Sequence, residues 1–318
     1  MRIGVAGAGA IGGWVAAKFS GAGHEVSLLA RGTTLDAVRD RGLILREGDV
    51  EQSYRMFAAD SPAALGEQDI LFIAVKAQSL PALAPELSKM VGTSTTIVPL
   101  LNGVPWWFMG ADQPLGSVDP EGQIRAALPE DQITGAVVHA AAFCPEKGIV
   151  QLRLADRLIL GAPSLDGADR AEAVVKVAAE AGIPAVLSES IRQEIWYKLW
   201  GNMTVNPISA LTLATADRIL DDELVSNFIL SVMSEANAIG EKIGCPIEQS
   251  GEERNQLTRK LGAFRTSMLQ DTEAGRSIEL DALLGAPLEI AAGLGVSTPN
   301  LDALFGLARL MGESRGIY

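Results

Sequence analysis

Lys198, Asn202 and Asn206 recur at every fourth position of EIWYKLWGNMTVNP, residues 194–207. Residues four apart on an α-helix lie nearly above one another, and across these three positions the drift is about 80° at ~3.6 residues per turn. The polar groups therefore form one stripe on a helix whose neighbours Ile195, Trp196, Leu199, Trp200 and Met203 are core material. Such a stripe faces water or faces something that needs it. A lysine ammonium there would donate the proton that accompanies hydride transfer to a ketone, and the amides would fix orientation. Its reference pKa of about 10.4 keeps it charged at neutral pH unless desolvation wins. Pro207 is expected to end or kink the helix. Farther on, TSMLQDTEAGRSIELDAL holds Ser267 and Glu279. A carboxylate at 279 would pair with Lys198 or hold a substrate hydroxyl; an exposed glutamate at a helix N-terminus would give the same pattern.

A second set opens the chain. In GAGAIG, Gly7 makes a tight turn, Gly9 lets the backbone approach a pyrophosphate and Gly12 packs a helix close to a strand. Ala10 and Ile11 belong to the same binding turn, where the helix N-terminus supplies partial positive charge. A lone GxGxxG is weak evidence, but this one follows an expected strand, opens an expected helix and precedes a second strand, which together indicate dinucleotide binding. Where a site for NAD carries a carboxylate about 20 residues on, this chain has Arg31, then Gly32, Thr33 and Thr34. A guanidinium suits a 2′-phosphate, so NADP(H) is favoured over NAD. Lys76 and Asn102 follow two further expected strands, on the sheet edge where open α/β folds bind ligands. A surface lysine and a turn asparagine would look the same.

The elements that must position these residues fall into two halves. RIGVAG, EVSLLA, DILFIAV (69–75) and TTIVPLL (95–101) are expected strands separated by helices, the mark of a doubly wound parallel sheet. Residues 105–131 hold four prolines and the cluster Trp106, Trp107, Phe108 and form an excursion. QITGAVVHAAAF, GIVQLRL and RLILG then read as antiparallel strands, followed by a helix over 167–182 that stops at Gly182 and Pro184. From about 188 the periodicity is helical, over 189–205, 221–244, 249–270 and 278–294. The expected division is 1–187, a dinucleotide-binding α/β domain, and 188–318, an all-helical domain for substrate and dimerisation, with the site in the cleft between them.

Composition narrows the function classes. A chain of 318 residues, 48% hydrophobic and 20% charged, with mean hydropathy +0.21, is long enough for two domains and argues against disorder. The net charge of −13 speaks against a nucleic-acid partner, and any attraction for an anionic substrate must be local. Cys144 and Cys245 form no CxxC pattern, and with only His24 and His139 besides them no metal site is suggested. The basic residue and apolar run at the N-terminus superficially look like a signal peptide, but the glycine spacing is better explained by cofactor binding. No run of about 20 apolar residues exists to span a bilayer. A cytoplasmic protein without a membrane partner is expected.

These pieces together resemble the ketopantoate reductase (2-dehydropantoate 2-reductase) family over essentially the full length. The resemblance rests on GAGAIGG, LLAR, VKA, LLNGV, WYKLWGNMTVNPISAL, and SMLQD followed by SIELD. It implies a Rossmann-type domain followed by a helical domain, NADPH as cofactor, and reduction of a 2-oxo acid to a 2-hydroxy acid. It implies Lys198 as general acid with Asn102, Asn202, Asn206, Ser267 and Glu279 around the substrate, and Arg31 and Lys76 near the 2′-phosphate. With the aromatic cluster it also suggests a homodimer. Two departures bear on the substrate: the 105–131 excursion is longer than the family's compact form, and Leu284 stands where many members carry Asn. A different 2-oxo acid or an imine is therefore an alternative substrate, and an NADP(H)-binding sensor without catalysis is an alternative of another class.

Overall fold

RIGVA, the strand β1 at Arg2–Ala6, is buried at four of its five positions, as a central parallel strand must be. The computed structural model describes residues 1–318, apart from the side chain of Leu165. The further strands are β2 (Glu25–Leu29), β3 (Leu43–Glu47), β4 (Val50–Tyr54), β5 (Phe57–Ala59), β6 (Gln68–Ile73), β7 (Val91–Pro99), β8 (Gly135–Phe143), β9 (Ile149–Gly161) and β10 (Ala185–Leu187). One sheet runs β5-β2-β1-β6-β7 and is parallel throughout. The chain leaves β1 for β2 on one side and reaches β6 on the other, so the strand order reverses at β1, which is where such sheets bind ligands.

The second sheet runs β10-β9-β3-β4, with β8 also on β9. Here the expected antiparallel set is corrected. GIVQLRL and RLILG form one 13-residue strand, β9, antiparallel to β8 but parallel to β3 and β10. Two register irregularities in β8 let the long strand stay paired through its polar middle. The core of this part gathers Ile3, Val5, Trp14, Phe19, Leu28 and Phe72, with Phe19 and Phe72 stacked at 5.2 Å between ring centroids.

The residues divide into two compact units, Met1–Leu101 with Glu121–Glu194, and Asn102–Pro120 with Ile195–Tyr318. The second is helical, as expected, with differences in detail. The helix Ile191–Thr212 runs on for five residues past Pro207, so the proline does not end it. Beyond it, the Ser209 and Thr212 hydroxyls donate to the carbonyls of Asn206 and Ile208. The stretch 249–270 is broken into Gly251–Arg259 and Ser267–Glu273, parted near Gly262, whose φ is +67°. The stretch 278–294 begins with a wide π-type turn, Asp281–Gly285, before the helix Ala286–Leu294. A helix at Pro299–Arg315 was not anticipated, although Pro at its start and Gly316 at its end mark it. No helix among the described residues is long and apolar enough to cross a membrane.

The aromatic cluster of the excursion is also corrected. Trp106, Trp107 and Phe108 are buried, and Phe108 stacks on Trp196 at 6.1 Å, so the cluster belongs to the second unit's interior and offers no surface for a dimer. The segment Asn102–Pro120 is a strap on this unit. Val104 N donates to Ala282 O at 2.8 Å, and the Glu289 carboxylate accepts from Gly116 N, Ser117 N and Ser117 Oγ.

Candidate active site

The glycine turn is built as its spacing demands. Gly7 has φ +110°, and a Cβ there would stand 2.7 Å from Ala74 O. A Cβ on Gly12 would stand 2.0 Å from Gly7 O, so only glycine lets the helix Ala10–Gly21 pack against the turn. Gly9 is different: a Cβ there would meet nothing within 4 Å. What would exclude a side chain at Gly9 is therefore not the protein itself. Ala10 and Ile11 are the first residues of that helix, whose first turn carries no acidic side chain and no side-chain cap, so its end N–H groups are left for an anion.

Around this turn lies a cavity of about 410 Å³, lined among others by Gly7, Ala8, Gly9, Arg31, Thr34 and Val75. The open face at Gly9 and the guanidinium at the end of β2 fit a phosphorylated dinucleotide. Lys76 follows β6 as expected, yet it is not among the lining residues, which from that stretch are Val75, Ser79 and Leu83. Sequence reasoning missed the lining contributed by Cys144, Glu146, Lys147 and Gly148, on the loop between β8 and β9. No motif marks that loop.

The second unit gathers the lysine site. The helix Ile191–Thr212 buries Trp196, Leu199, Trp200 and Met203, and Trp200 Nε1 donates to Met233 O at 2.9 Å. Lys198 is half-buried, Asn202 is half-buried one turn on, and Asn206 is buried after a second turn. Lys198 Nζ donates to Asn102 Oδ1 at 3.0 Å. The fit of Asn102 depends on Gly103, which has φ +81° and lies so close to the π-type turn that a Cβ would stand 2.3 Å from Ala282 O. Glu279, half-buried, precedes that turn. Wide turns of this kind recur at functional sites.

Electrostatics tie Lys198 to Glu279. Desolvation lowers the ammonium to about 8, against the pull of the Glu279 carboxylate, which raises it. Burial thus outweighs the pairing that the sequence suggested would keep this lysine near its ordinary value. At neutral pH it is still mostly protonated, and a pKa near working pH is what proton transfer favours. Ser267 is exposed on the first turn of its helix, where the buried Thr266 caps Leu269 N and shares a hydrogen bond with Ser209. Leu284 is fully buried in the π-type turn. The structure therefore brings Lys198, Asn102 and Glu279 into one electrostatic group, with the two helix amides in register and Ser267 open to solvent.

Comparison with known proteins gives a consistent set. Residues 3–164 match the family described as ketopantoate reductase PanE/ApbA, and residues 190–312 match its C-terminal part. The 2-dehydropantoate 2-reductase of Mesorhizobium japonicum (strain LMG 29417 / CECT 9101 / MAFF 303099) is 38% identical, with 100% of each chain covered. A crystal structure from Ralstonia solanacearum MolK2, of a protein classed with the ketopantoate reductases, is 46% identical with TM-score 0.96, covering 100% of this chain and 99% of that one. The PanE/ApbA family ketopantoate reductase from Ralstonia eutropha JMP134 is 25% identical with TM-score 0.87, covering 99% of this chain and 100% of that one.

Proposed function

The chain belongs to the ketopantoate reductase family, a family of oxidoreductases, and from that premise we propose that it reduces 2-dehydropantoate to pantoate with NADPH. The observation that carries this reading is the Lys198–Asn102 hydrogen bond beside Glu279. A binding protein without chemistry has no need of a lysine tuned toward working pH. When bound, the reduced nicotinamide supplies the hydride. Lys198 polarises the 2-oxo group and gives its proton to the oxygen as the carbonyl carbon is reduced. Asn102 aims the ammonium through its side-chain oxygen. Asn202 and Asn206 orient the substrate's polar groups, and Glu279 holds the ammonium form against desolvation. NADPH is the cofactor favoured by Arg31 in the dinucleotide cavity.

A different 2-oxo acid is the second reading, favoured by the strap whose Phe108 stacks on Trp196, two positions from Lys198. Steady-state oxidation of NADPH and of NADH with ketopantoate, then with a panel of 2-oxo acids, separates the readings. Turnover with NADPH and ketopantoate at kcat/KM of roughly 10⁴ M⁻¹s⁻¹ or more supports the first. Turnover only with another 2-oxo acid leaves the reaction and replaces the substrate. Binding of NADPH with no turnover on any member of the panel removes the catalytic reading.

A further inference from the structure

We infer that Lys147, on the loop joining β8 to β9, is the second cation that reads the adenosine 2′-phosphate, alongside Arg31. This rests on the reading that the cofactor is NADP(H). Both residues line the cavity that opens at the glycine turn, and Thr34 lines it beside them. The end of β2, from which Arg31 and Thr34 come, is where dinucleotide folds of this order recognise the adenosine ribose. A phosphate monoester carries roughly 1.5 to 2 negative charges near neutral pH, more than one guanidinium balances. The whole chain offers no background attraction, with a net charge of −13. A second placed cation is the remedy available to such a protein.

The loop is built to put one there. Arg41 Nη2 donates to Lys147 O at 2.7 Å, which holds the backbone at that residue and leaves the ammonium unengaged by this contact. Gly148 has φ +74°, with a Cβ position 3.1 Å from Ala37 Cβ, and its carbonyl accepts from Ile44 N at 2.9 Å. The loop is thereby laid against the helix Gly32–Arg41, which starts directly after Arg31. Lys147 itself is exposed at the cavity. The carboxylate beside it, Glu146, lies 3.9 Å from the Arg41 guanidinium, so the neighbouring negative charge has a counter-ion of its own. Lys76, the second cation expected from sequence, does not line this cavity.

Calorimetric titration of the full chain with NADP⁺ and with NAD⁺ tests the assignment without turnover. Wild-type protein should bind NADP⁺ the more tightly. Lys147→Ala should weaken NADP⁺ roughly tenfold and leave NAD⁺ unchanged, with Lys147→Arg restoring most of the loss. The loss should shrink as salt rises. An equal loss for both cofactors would mean that Lys147 packs on a part they share, and overturns the proposal. So does an unchanged preference in Lys147→Ala with a lost preference in Lys76→Ala. Equal wild-type affinity for the two cofactors overturns the NADP(H) reading and this assignment together, whereas a wild-type preference that survives Lys147→Ala overturns the assignment alone.

Discussion

The glycine turn of the first unit and the lysine helix of the second, each proposed above as a surface for a ligand, are built by opposite means. The turn is almost entirely backbone: Gly7, Gly9 and Gly12 matter because they lack side chains, and the groups they present are N–H donors of a helix end. The lysine site is almost entirely side chain, drawn from residue 102 in the strap, 198 on a long helix and 279 before the π-type turn. A backbone site is contained in six residues and tolerates change elsewhere. A side-chain site depends on packing across nearly 180 positions of sequence, and its chemistry is a property of that packing, because desolvation sets the lysine pKa.

The largest expected effect separates the two regions cleanly. Lys198→Ala should lower kcat by about 10²–10⁴, the usual worth of a general acid, while the dissociation constant for NADPH stays at the wild-type value. Calorimetry and initial rates on the same preparation check both halves. A kcat near wild type would leave the lysine without its role, and a weakened cofactor would show that the regions are not independent.

A smaller contrast lies within the turn itself. Gly12→Ala drives a methyl group toward Gly7 O, and overpacking of that order costs about 1–3 kcal/mol, read as a lower urea midpoint. Gly9→Ala meets open space, so its stability should stay within about 0.5 kcal/mol of wild type. Its affinity for NADPH should nevertheless fall roughly tenfold, because the methyl group takes the place of the pyrophosphate. If Gly9→Ala binds NADPH normally, the pyrophosphate does not cross that residue.

What could be read in the sequence follows the same division. GAGAIG, the buried parallel strands and the four-residue spacing of Lys198, Asn202 and Asn206 are local patterns, and each takes the form its pattern demands. The hairpin of β3 and β4 was hidden because LILREGDVEQSY is polar and β4 is largely exposed. The helix Pro299–Arg315 was obscured by Leu307 and Leu310, which are exposed and blur its apolar stripe. Pro207 was overweighted as a stop, since the helix continues within a packed unit and tertiary contacts override local preference. Two features had no local signal at all: the seat of Gly103 against Ala282, which fixes Asn102, and the approach of the Lys147 loop to the cavity at the glycine turn. Both are contacts between stretches more than 100 residues apart, and no single stretch encodes them.

The finest test bears on how the side-chain site sets its own chemistry. In the proposed role Lys198 acts as its protonated form, so kcat should fall as pH rises through about 8. The Glu279 carboxylate raises that value and desolvation lowers it. Glu279→Gln keeps the shape and removes the charge, so the falling limb of the pH profile should move to lower pH with the general acid still in place. The linkage to stability carries the same sign. The lysine's folded value lies below its unfolded value of 10.5, so between about 8 and 10.5 the unfolded chain binds more protons. Over that window this group makes the folded state more stable as pH rises, and its burden is full below it. Glu279→Gln should widen the window at its lower end, seen as a midpoint of unfolding that is lower than wild type at pH 7 and converges on it toward pH 10. A pH limb that does not move would mean that the carboxylate's part is to hold the substrate, and that desolvation alone tunes the acid.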